Sequence, residues 1–398
     1  MQNRPAIVAV GRTKFGEHYG KEPEKLIEEA WLAASNECGV ERKDIEACYM
    51  SDCFLPITNK LGLEEGFLSE LTELHVPMEV TRSFSAALLT ACNAIQAGVY
   101  NRVLVGGIEK MTDRWDKIRD DLMLLDDPWS YYAGGTPESN HELMLRAYIK
   151  KHHIMGEPLD KLNIALAEIT VKNHANATKN KYAQYQRKIT IDQVLSARKA
   201  EHKPLGLYDF APISDGASAL ILTSDSVAKK MTDRIIQVLA VGAATDYLNY
   251  PARDDLSHFV ASELAMKNAS QMAKVAPSDL QIIEVYDQST VMEMISLEDM
   301  GFCLPGTAWK SIHGCQNYYD IGGKPLYVNT DGGLKADGNP LGATGGAQIF
   351  EIYRQLRGEA GERQVHIGSG PPKHGGVLEL EGFGTKAYVT ILGDQKNE

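Results

Sequence analysis

Cysteine, long apolar runs and positive charge are all scarce in this chain. Six cysteines in 398 residues do not form a disulfide framework. The nearest pair, Cys48 and Cys53, lacks the spacing of metal ligands, and no second pair completes a site. No apolar run approaches the length of a membrane span. The net charge of -12 argues against electrostatic binding of nucleic acid. We therefore expect a reduced cytoplasmic protein with no bound metal, acting away from membranes and nucleic acids.

The residues that are present favour a well-packed α/β protein. The chain is 43% hydrophobic and 24% charged, which suits two or three domains. Strand-like runs alternate with segments of helical periodicity. The pattern predicts strands at 6–10, 103–107, 217–223, 282–285 and 387–392, and helices at 23–37, 85–98, 262–273, 290–301 and 343–356. The segment from about 111 to 204 breaks this alternation and is rich in charged and aromatic residues.

Five short motifs identify a family when they are taken together. They are AIVAVGRTKFG at 6–16, GGIEKMTD at 106–113, SDGASALIL at 214–222, EVYDQST at 284–290 and NTDGGLKADGNPLGATGGAQ at 329–348. In this order the chain resembles the thiolase superfamily, especially its sterol-carrier-protein-type and archaeal-type branch. The resemblance implies a five-layered αβαβα fold of two similar halves, 1–225 and 226–398, with an inserted loop domain at about 111–204. No internal sequence repeat is strong enough to prove a duplication.

The family's nucleophile is missing. The resemblance implies a Cys at the N-terminus of a buried helix, where the helix dipole lowers the thiol pKa. Here the corresponding segment reads TRSFSAAL, which places Thr81 at that position, or Arg82 or Ser83 after a shift of one or two residues. Ser83 and Ser85 are candidates for a helix N-cap, which we favour, or for a nucleophile that would need an adjacent base.

A second family residue is also replaced. Where the branch carries a catalytic His before Pro-x-Gly-Ala-Thr-Gly, this chain has Asn339, which can donate a hydrogen bond to an oxyanion but cannot shuttle a proton. Tyr286 and Asp287 end a predicted strand where the family supplies an acid/base or water-binding group. Tyr286 could donate to an oxyanion, and Asp287 could act as a base or merely cap the next helix. With Thr81 and Ser83, these residues form the predicted pocket.

Four further residues are candidates through the resemblance. His141, in the loop domain, is either a replacement base or a structural histidine. Lys179, in the same domain, could meet the phosphates of coenzyme A or be merely solvated. Gly345 permits close backbone approach to a ligand or belongs to a tight loop into the helix that starts at Ala343. Gly382 lies in the glycine-rich turn where the family has a last reactive Cys or His, and no Cys occurs there.

The resemblance implies an acyl-CoA-handling subunit, and three functions remain open. The first is an acyltransferase that makes or breaks carbon–carbon bonds on acyl-CoA thioesters, with coenzyme A as part of the substrate and no bound cofactor. The second is a retro-aldolase on a CoA ester, which needs no covalent Cys. The third is a catalytically silent subunit that binds CoA esters or supports an active partner. The expected partners are a second copy, docked through 76–107, and an OB-fold zinc-ribbon protein or a second thiolase-like subunit.

Overall fold

The five strands and five helices that the sequence predicts are all present, among eleven strands and fourteen helices of the described residues. The computed structural model describes residues 3–114, 116–314 and 316–395. The strands are β1 Pro5–Arg12, β2 Ala47–Ser51, β3 Met78–Thr81, β4 Arg102–Glu109, β5 Gly216–Ser224, β6 Ile235–Thr245, β7 Ile282–Glu284, β8 Tyr319–Ile321, β9 Lys324–Val328, β10 His374–Glu381 and β11 Lys386–Gln395. The helices are α1 Pro23–Cys38, α2 Leu55–Thr58, α3 Glu64–Thr72, α4 Phe84–Gln96, α5 Ile118–Leu122, α6 Pro128–Tyr132, α7 Pro137–Lys151, α8 Glu157–Ala177, α9 Ile191–Glu201, α10 Asp225–Ala228, α11 Val260–Ala273, α12 Thr290–Asp299, α13 Gly333–Asp337 and α14 Leu341–Arg357.

The sheet consists of two halves with one topology. Outward from the antiparallel contact between β1 and β6, the first half runs β1-β5-β4-β2-β3 and the second runs β6-β11-β10-β7-β9, with β8 added at the edge. The first two pairings of each half are antiparallel and the next two are parallel. The strand order therefore shows the duplication that the sequence alone does not prove, and the expected fold class is confirmed.

Two buried helices separate the halves and complete the five layers. Helix α4 packs on β2, β4 and β5, while α14 contacts strands of both halves. Helix α1 covers the outer face of the first half and α11 that of the second. Close packing of α14 requires glycine: a Cβ at Gly342 would lie 2.5 Å from the backbone oxygen of Ile108. This contact draws the start of α14 towards the ends of the first half's strands.

The segment between β4 and β5 is helical and lies over the sheet ends. It contains α5 to α9, and its residues Leu122, Pro137, His141 and His174 line the cavities described below. In the part of the chain that the structure describes, no helix is long and apolar enough to cross a membrane.

Candidate active site

Two adjoining cavities lie where α4, α14, the strand ends and the inserted helices meet. The larger has a volume of about 740 Å³. A smaller chamber lies beside it and reaches the start of α4. The two have five lining residues in common: Leu122, Pro137, His141, Gln288 and Leu341. The two cavities therefore share part of their walls, and the smaller has a volume of about 40 Å³.

A carboxylate occupies the N-terminus of α4. The backbone N–H groups of Phe84 and Ser85 donate to Glu379 on β10, at 3.1 and 2.6 Å. Ser83 stands at the N-cap position, but its hydroxyl donates to Glu381 at 2.7 Å and makes no cap hydrogen bond. The expectation that a serine hydroxyl caps this helix is therefore wrong, because a carboxylate on the second half of the sheet takes its place.

Glu379 combines deep burial with hydrogen bonds that favour its charge. Its side chain lines the smaller chamber and the residue is 1% exposed. Burial raises the pKa of Glu379 to about 7, against the opposing effect of the N–H donors of Ser85 and Phe84. A carboxyl group with a pKa near neutrality can exchange a proton in either direction at physiological pH.

Asn339 is held in one orientation by two hydroxyl groups. Its Oδ1 accepts hydrogen bonds from Tyr286 Oη at 3.3 Å and Thr344 Oγ1 at 2.9 Å. Its backbone N–H donates to Ser214 Oγ at 2.9 Å. The two hydroxyl donors fix this atom as the amide oxygen, so the Nδ2 group points the other way. Within the described ranges, Nδ2 has no protein acceptor. Asn339 lines the large cavity, so its N–H groups are available to a ligand oxygen.

Tyr286 and Asp287 are neighbours in sequence but lie in different surroundings. Tyr286 lines the smaller chamber, and burial first and then the charge of Glu379 raise the pKa of its phenol well above its usual value. Asp287 is fully buried and accepts hydrogen bonds from Asn173 Nδ2 and from the backbone N–H of Leu334, both at 2.7 Å. It lines neither cavity.

His141 lies at the junction of the two cavities. Its Nδ1 is 2.9 Å from Ser289 Oγ, and its ring packs edge-on against Phe210 and Phe383. Burial lowers the pKa of His141 to about 4, so the imidazole is neutral at physiological pH. It can offer a hydrogen bond to a ligand but brings no charge.

Two of the remaining predicted residues, Thr81 and Lys179, line neither cavity. Thr81 lines an outer groove with Arg82 and Glu381, and its hydroxyl donates to the backbone oxygen of Ser83 at 2.9 Å. Lys179 is exposed at the end of α8 and lines none of these cavities.

The two predicted glycines lie close to the smaller chamber. A Cβ at Gly345 would lie 2.2 Å from Glu379 Oε2, so this glycine makes room for the carboxylate. Gly382 lines the chamber with φ +61, and a Cβ there would lie 2.1 Å from the backbone oxygen of Leu125. Both glycines therefore shape the pocket wall.

The sequence reasoning missed three lining residues that carry reactive groups. Glu379 had a usable signal, because it is an acidic residue inside the apolar strand sequence VLEL. Cys53 lines the smaller chamber, and its thiol donates to the backbone oxygen of Arg82 at 3.0 Å. Lys335 lines the large cavity from α13.

Within the described ranges, no group of three or more His, Cys, Asp or Glu side chains is arranged to hold a metal ion.

Comparisons with known proteins agree with this architecture. The family profile "Thiolase, N-terminal domain" matches residues 5–226, and "Thiolase C-terminal domain-like" matches 242–394. An acetyl-CoA acetyltransferase of Methanocaldococcus jannaschii is 33% identical, covering 98% of this chain and 99% of that protein. Sterol carrier protein 2 of Gallus gallus is 30% identical, covering 92% of this chain and 68% of that protein. The solved Ltp2-ChsH2(DUF35) aldolase is similar with a TM-score of 0.77 and 21% identity, covering 98% of this chain and 97% of that one.

Proposed function

The chain belongs to the thiolase superfamily, in its sterol-carrier-protein-2-like branch, and from this premise we propose that it makes or breaks carbon–carbon bonds on acyl-CoA thioesters. One observation carries the proposal. The oriented amide of Asn339, the phenol of Tyr286 and the carboxylate of Glu379 line two adjoining cavities. Together they supply an oxyanion donor, an acid and a base.

The geometry favours a route without an acyl-enzyme. At the start of α4, the N–H groups that would support a nucleophile already bind Glu379. Cys53 lines the smaller chamber, but burial, followed by the charge of Glu109, raises the pKa of its thiol well above the usual range. A protonated, desolvated thiol is a weak nucleophile. An aldol-type reaction needs no covalent nucleophile, so we prefer it to acyl transfer.

The proposed reaction joins an acyl-CoA to an aldehyde or ketone. Glu379 removes a Cα proton, and the electron pair moves into the thioester, whose oxygen becomes an enolate held by Asn339 Nδ2. The Cα carbon then attacks the carbonyl carbon of the second substrate. Tyr286 gives its phenolic proton to the resulting alkoxide, which yields a 3-hydroxyacyl-CoA. The proton on Glu379 returns to Tyr286 through solvent, and cleavage follows the same steps in reverse.

The acyl-CoA class is supported by the shape and charge of the large cavity. Apolar side chains provide most of its surface, and Arg119, Arg187 and Lys203 line it together with Glu17, Glu138 and Glu201. Arg119 pairs with Glu138. Cationic side chains suit the phosphates of coenzyme A. We propose that Arg187 and Lys203 make the phosphate contact considered for Lys179, which lies outside the cavity.

A partner subunit is also proposed. The similar solved aldolase carries a name that joins two components, Ltp2 and ChsH2(DUF35). We propose that this chain works as a homodimer through 76–107 and with a partner, either an OB-fold zinc-ribbon protein or a second thiolase-like subunit. Sedimentation at micromolar concentration tests the dimer, and affinity purification from the source cells tests for a co-purifying second chain.

Hydrogen exchange at Cα tests the chemistry before the natural substrate is known. The purified protein, with any co-purifying partner, is incubated with octanoyl-CoA in D2O, and deuterium gain at Cα is followed by mass spectrometry. Exchange that depends on Glu379 supports enolate formation. No exchange above the protein-free rate would favour a silent subunit, an alternative supported by the missing Cys and His.

Acyl transfer remains the second active candidate, because the similar Methanocaldococcus protein is an acetyl-CoA acetyltransferase. It predicts a stable mass increase of the chain after incubation with acetyl-CoA, whereas the aldol route predicts none.

A further inference from the structure

His141 stands in the wall that the two cavities share, and the proposed reaction gives it no role. It lies on α7, and its ring packs edge-on against two phenylalanines, with ring centroids 5.7 Å from Phe210 and 5.4 Å from Phe383. Phe210 lines the large cavity and Phe383 lines the smaller chamber. The two rings therefore hold the imidazole at the boundary between the cavities.

One ring nitrogen of His141 is available to a ligand. Nδ1 lies 2.9 Å from Ser289 Oγ. Nε2 has no hydrogen-bond partner among the described residues, and it is not enclosed, because it keeps solvent-accessible surface. The whole residue is only 2% exposed and its side chain lines both cavities, so the surface of Nε2 opens into them. A hydrogen bond to a ligand would satisfy this atom.

Ser289 fixes which ring nitrogen carries the hydrogen. Ser289 is the fully buried N-cap of α12, and its Oγ accepts a hydrogen bond from the backbone N–H of Met292 at 3.3 Å. Its own hydroxyl hydrogen needs an acceptor within the protein, and among the described residues that acceptor is His141 Nδ1. Since Ser289 donates to Nδ1, the neutral ring carries its hydrogen on Nε2. Burial lowers the pKa of His141 to about 4, which keeps the ring neutral at physiological pH.

The proposed reaction brings a substrate oxygen to this boundary. It requires the thioester oxygen at Asn339, which lines the large cavity, and the Cα proton at Glu379, which lines the smaller chamber. The new carbon–carbon bond therefore forms along the wall that contains His141. The oxygen of the second substrate belongs to the carbon that joins Cα. An N–H donor at this wall would stabilise the negative charge that develops on that oxygen.

We propose that His141 is a specificity-determining donor for this oxygen. Its Nε2–H group donates to the carbonyl oxygen of the incoming aldehyde or ketone, which becomes the 3-hydroxyl group of the product. Ser289 acts through His141 as a positioning residue, because it keeps the hydrogen on Nε2. The inference rests on the proposed function and deepens it, since the site then recognises acyl-CoA compounds that carry an oxygen at C3.

Calorimetric titration of the whole protein, with any co-purifying partner, measures this recognition without turnover. The probes are the thioethers S-octyl-CoA and both enantiomers of S-(3-hydroxyoctyl)-CoA, which cannot be cleaved because they have no thioester carbonyl to form an enolate. We expect one enantiomer to bind about fivefold more tightly than S-octyl-CoA, as one neutral hydrogen bond provides. His141→Phe keeps an aromatic ring and should reduce this preference to within about twofold. The exposed control His366→Phe should keep the preference.

Nitrogen-15 NMR of the histidine side chains tests the positioning role with a signal that packing alone does not determine. In the wild type, the His141 signal, identified by its absence from His141→Phe, should report hydrogen on Nε2. Ser289→Ala should lose this single form together with the binding preference. Ser289→Thr should restore both, because threonine keeps the hydroxyl group.

The outcomes separate this inference from the proposed function. Hydrogen on Nδ1 in the wild type would overturn the role of His141, and so would an unchanged preference in a folded His141→Phe protein. Equal binding of all three thioethers by the wild type would also overturn it while leaving the acyl-CoA function intact. If S-octyl-CoA does not bind at all, the acyl-CoA function itself fails and the inference with it. The wild-type affinities decide the matter even where a variant does not fold.

Discussion

Replacement of Asn339 by Ala tests the centre of the proposed site. The substitution removes the Nδ2 donor that would hold the enolate oxygen. It also removes the acceptor of the Tyr286 and Thr344 hydroxyls, at 3.3 and 2.9 Å. Two effects follow, one on the reaction and one on the fold, and they can be measured separately.

The two effects have different magnitudes. Loss of one oxyanion donor costs about 10²- to 10³-fold in rate, which corresponds to roughly 3–4 kcal/mol. Two buried hydroxyls left without an acceptor cost about 1–3 kcal/mol each before they find other partners. Asn339→Ala should therefore slow Cα exchange by two to three orders of magnitude and lower the free energy of unfolding by a few kcal/mol.

The assay is deuterium exchange into octanoyl-CoA at saturating concentration, with urea unfolding in parallel. Asn268→Ala is the matched control, because Asn268 is exposed on α11 and its amide donates one hydrogen bond, to the backbone oxygen of Ala243 at 3.3 Å. That control should leave the exchange rate unchanged. An Asn339→Ala protein that is folded and exchanges within a few-fold of wild type would refute the oxyanion role and favour the silent subunit.

Three further predictions concern the smaller chamber. Glu379→Gln should reduce Cα exchange by about 10²- to 10⁴-fold. In the wild type, burial raises the pKa of Glu379 to about 7, so the base is protonated below that pH and the exchange rate should rise through pH 7 and level off above it. A flat pH profile would contradict the assignment. No acyl group should become attached to Cys53 when intact mass is measured after incubation with acetyl-CoA, and Cys53→Ser should retain exchange within a few-fold; a stoichiometric adduct would restore the acyl-transfer route. Gly345→Ala should lower the free energy of unfolding by about 1–3 kcal/mol and slow Cα exchange, because its Cβ meets Glu379. Gly62→Ala, where a Cβ meets nothing within 4 Å, should change neither quantity in the same assays.

The sequence by itself determined the family and ten of the strands and helices, and it shows Asn339 where the resemblance implies a His. Each of these is a local property. Hydrophobic periodicity specifies which segments are strands and helices, and the motif around Asn339 shows directly that a family His is absent. The prediction for 85–98 differs from α4 by only one or two residues at each end.

Only the tertiary structure decided how the site is completed. Glu379 reaches the N–H groups of Phe84 and Ser85 across sequence separations of 295 and 294 residues. No local pattern encodes that contact, because it depends on how the two halves of the sheet pack around α4 and α14. Tyr286 and Asp287 follow the end of β7, and the packing of distant segments places Tyr286 in the smaller chamber and Asp287 against Asn173 and Leu334. The sequence shows which reactive side chains are present, and the packing of distant segments decides which of them lie in one cavity.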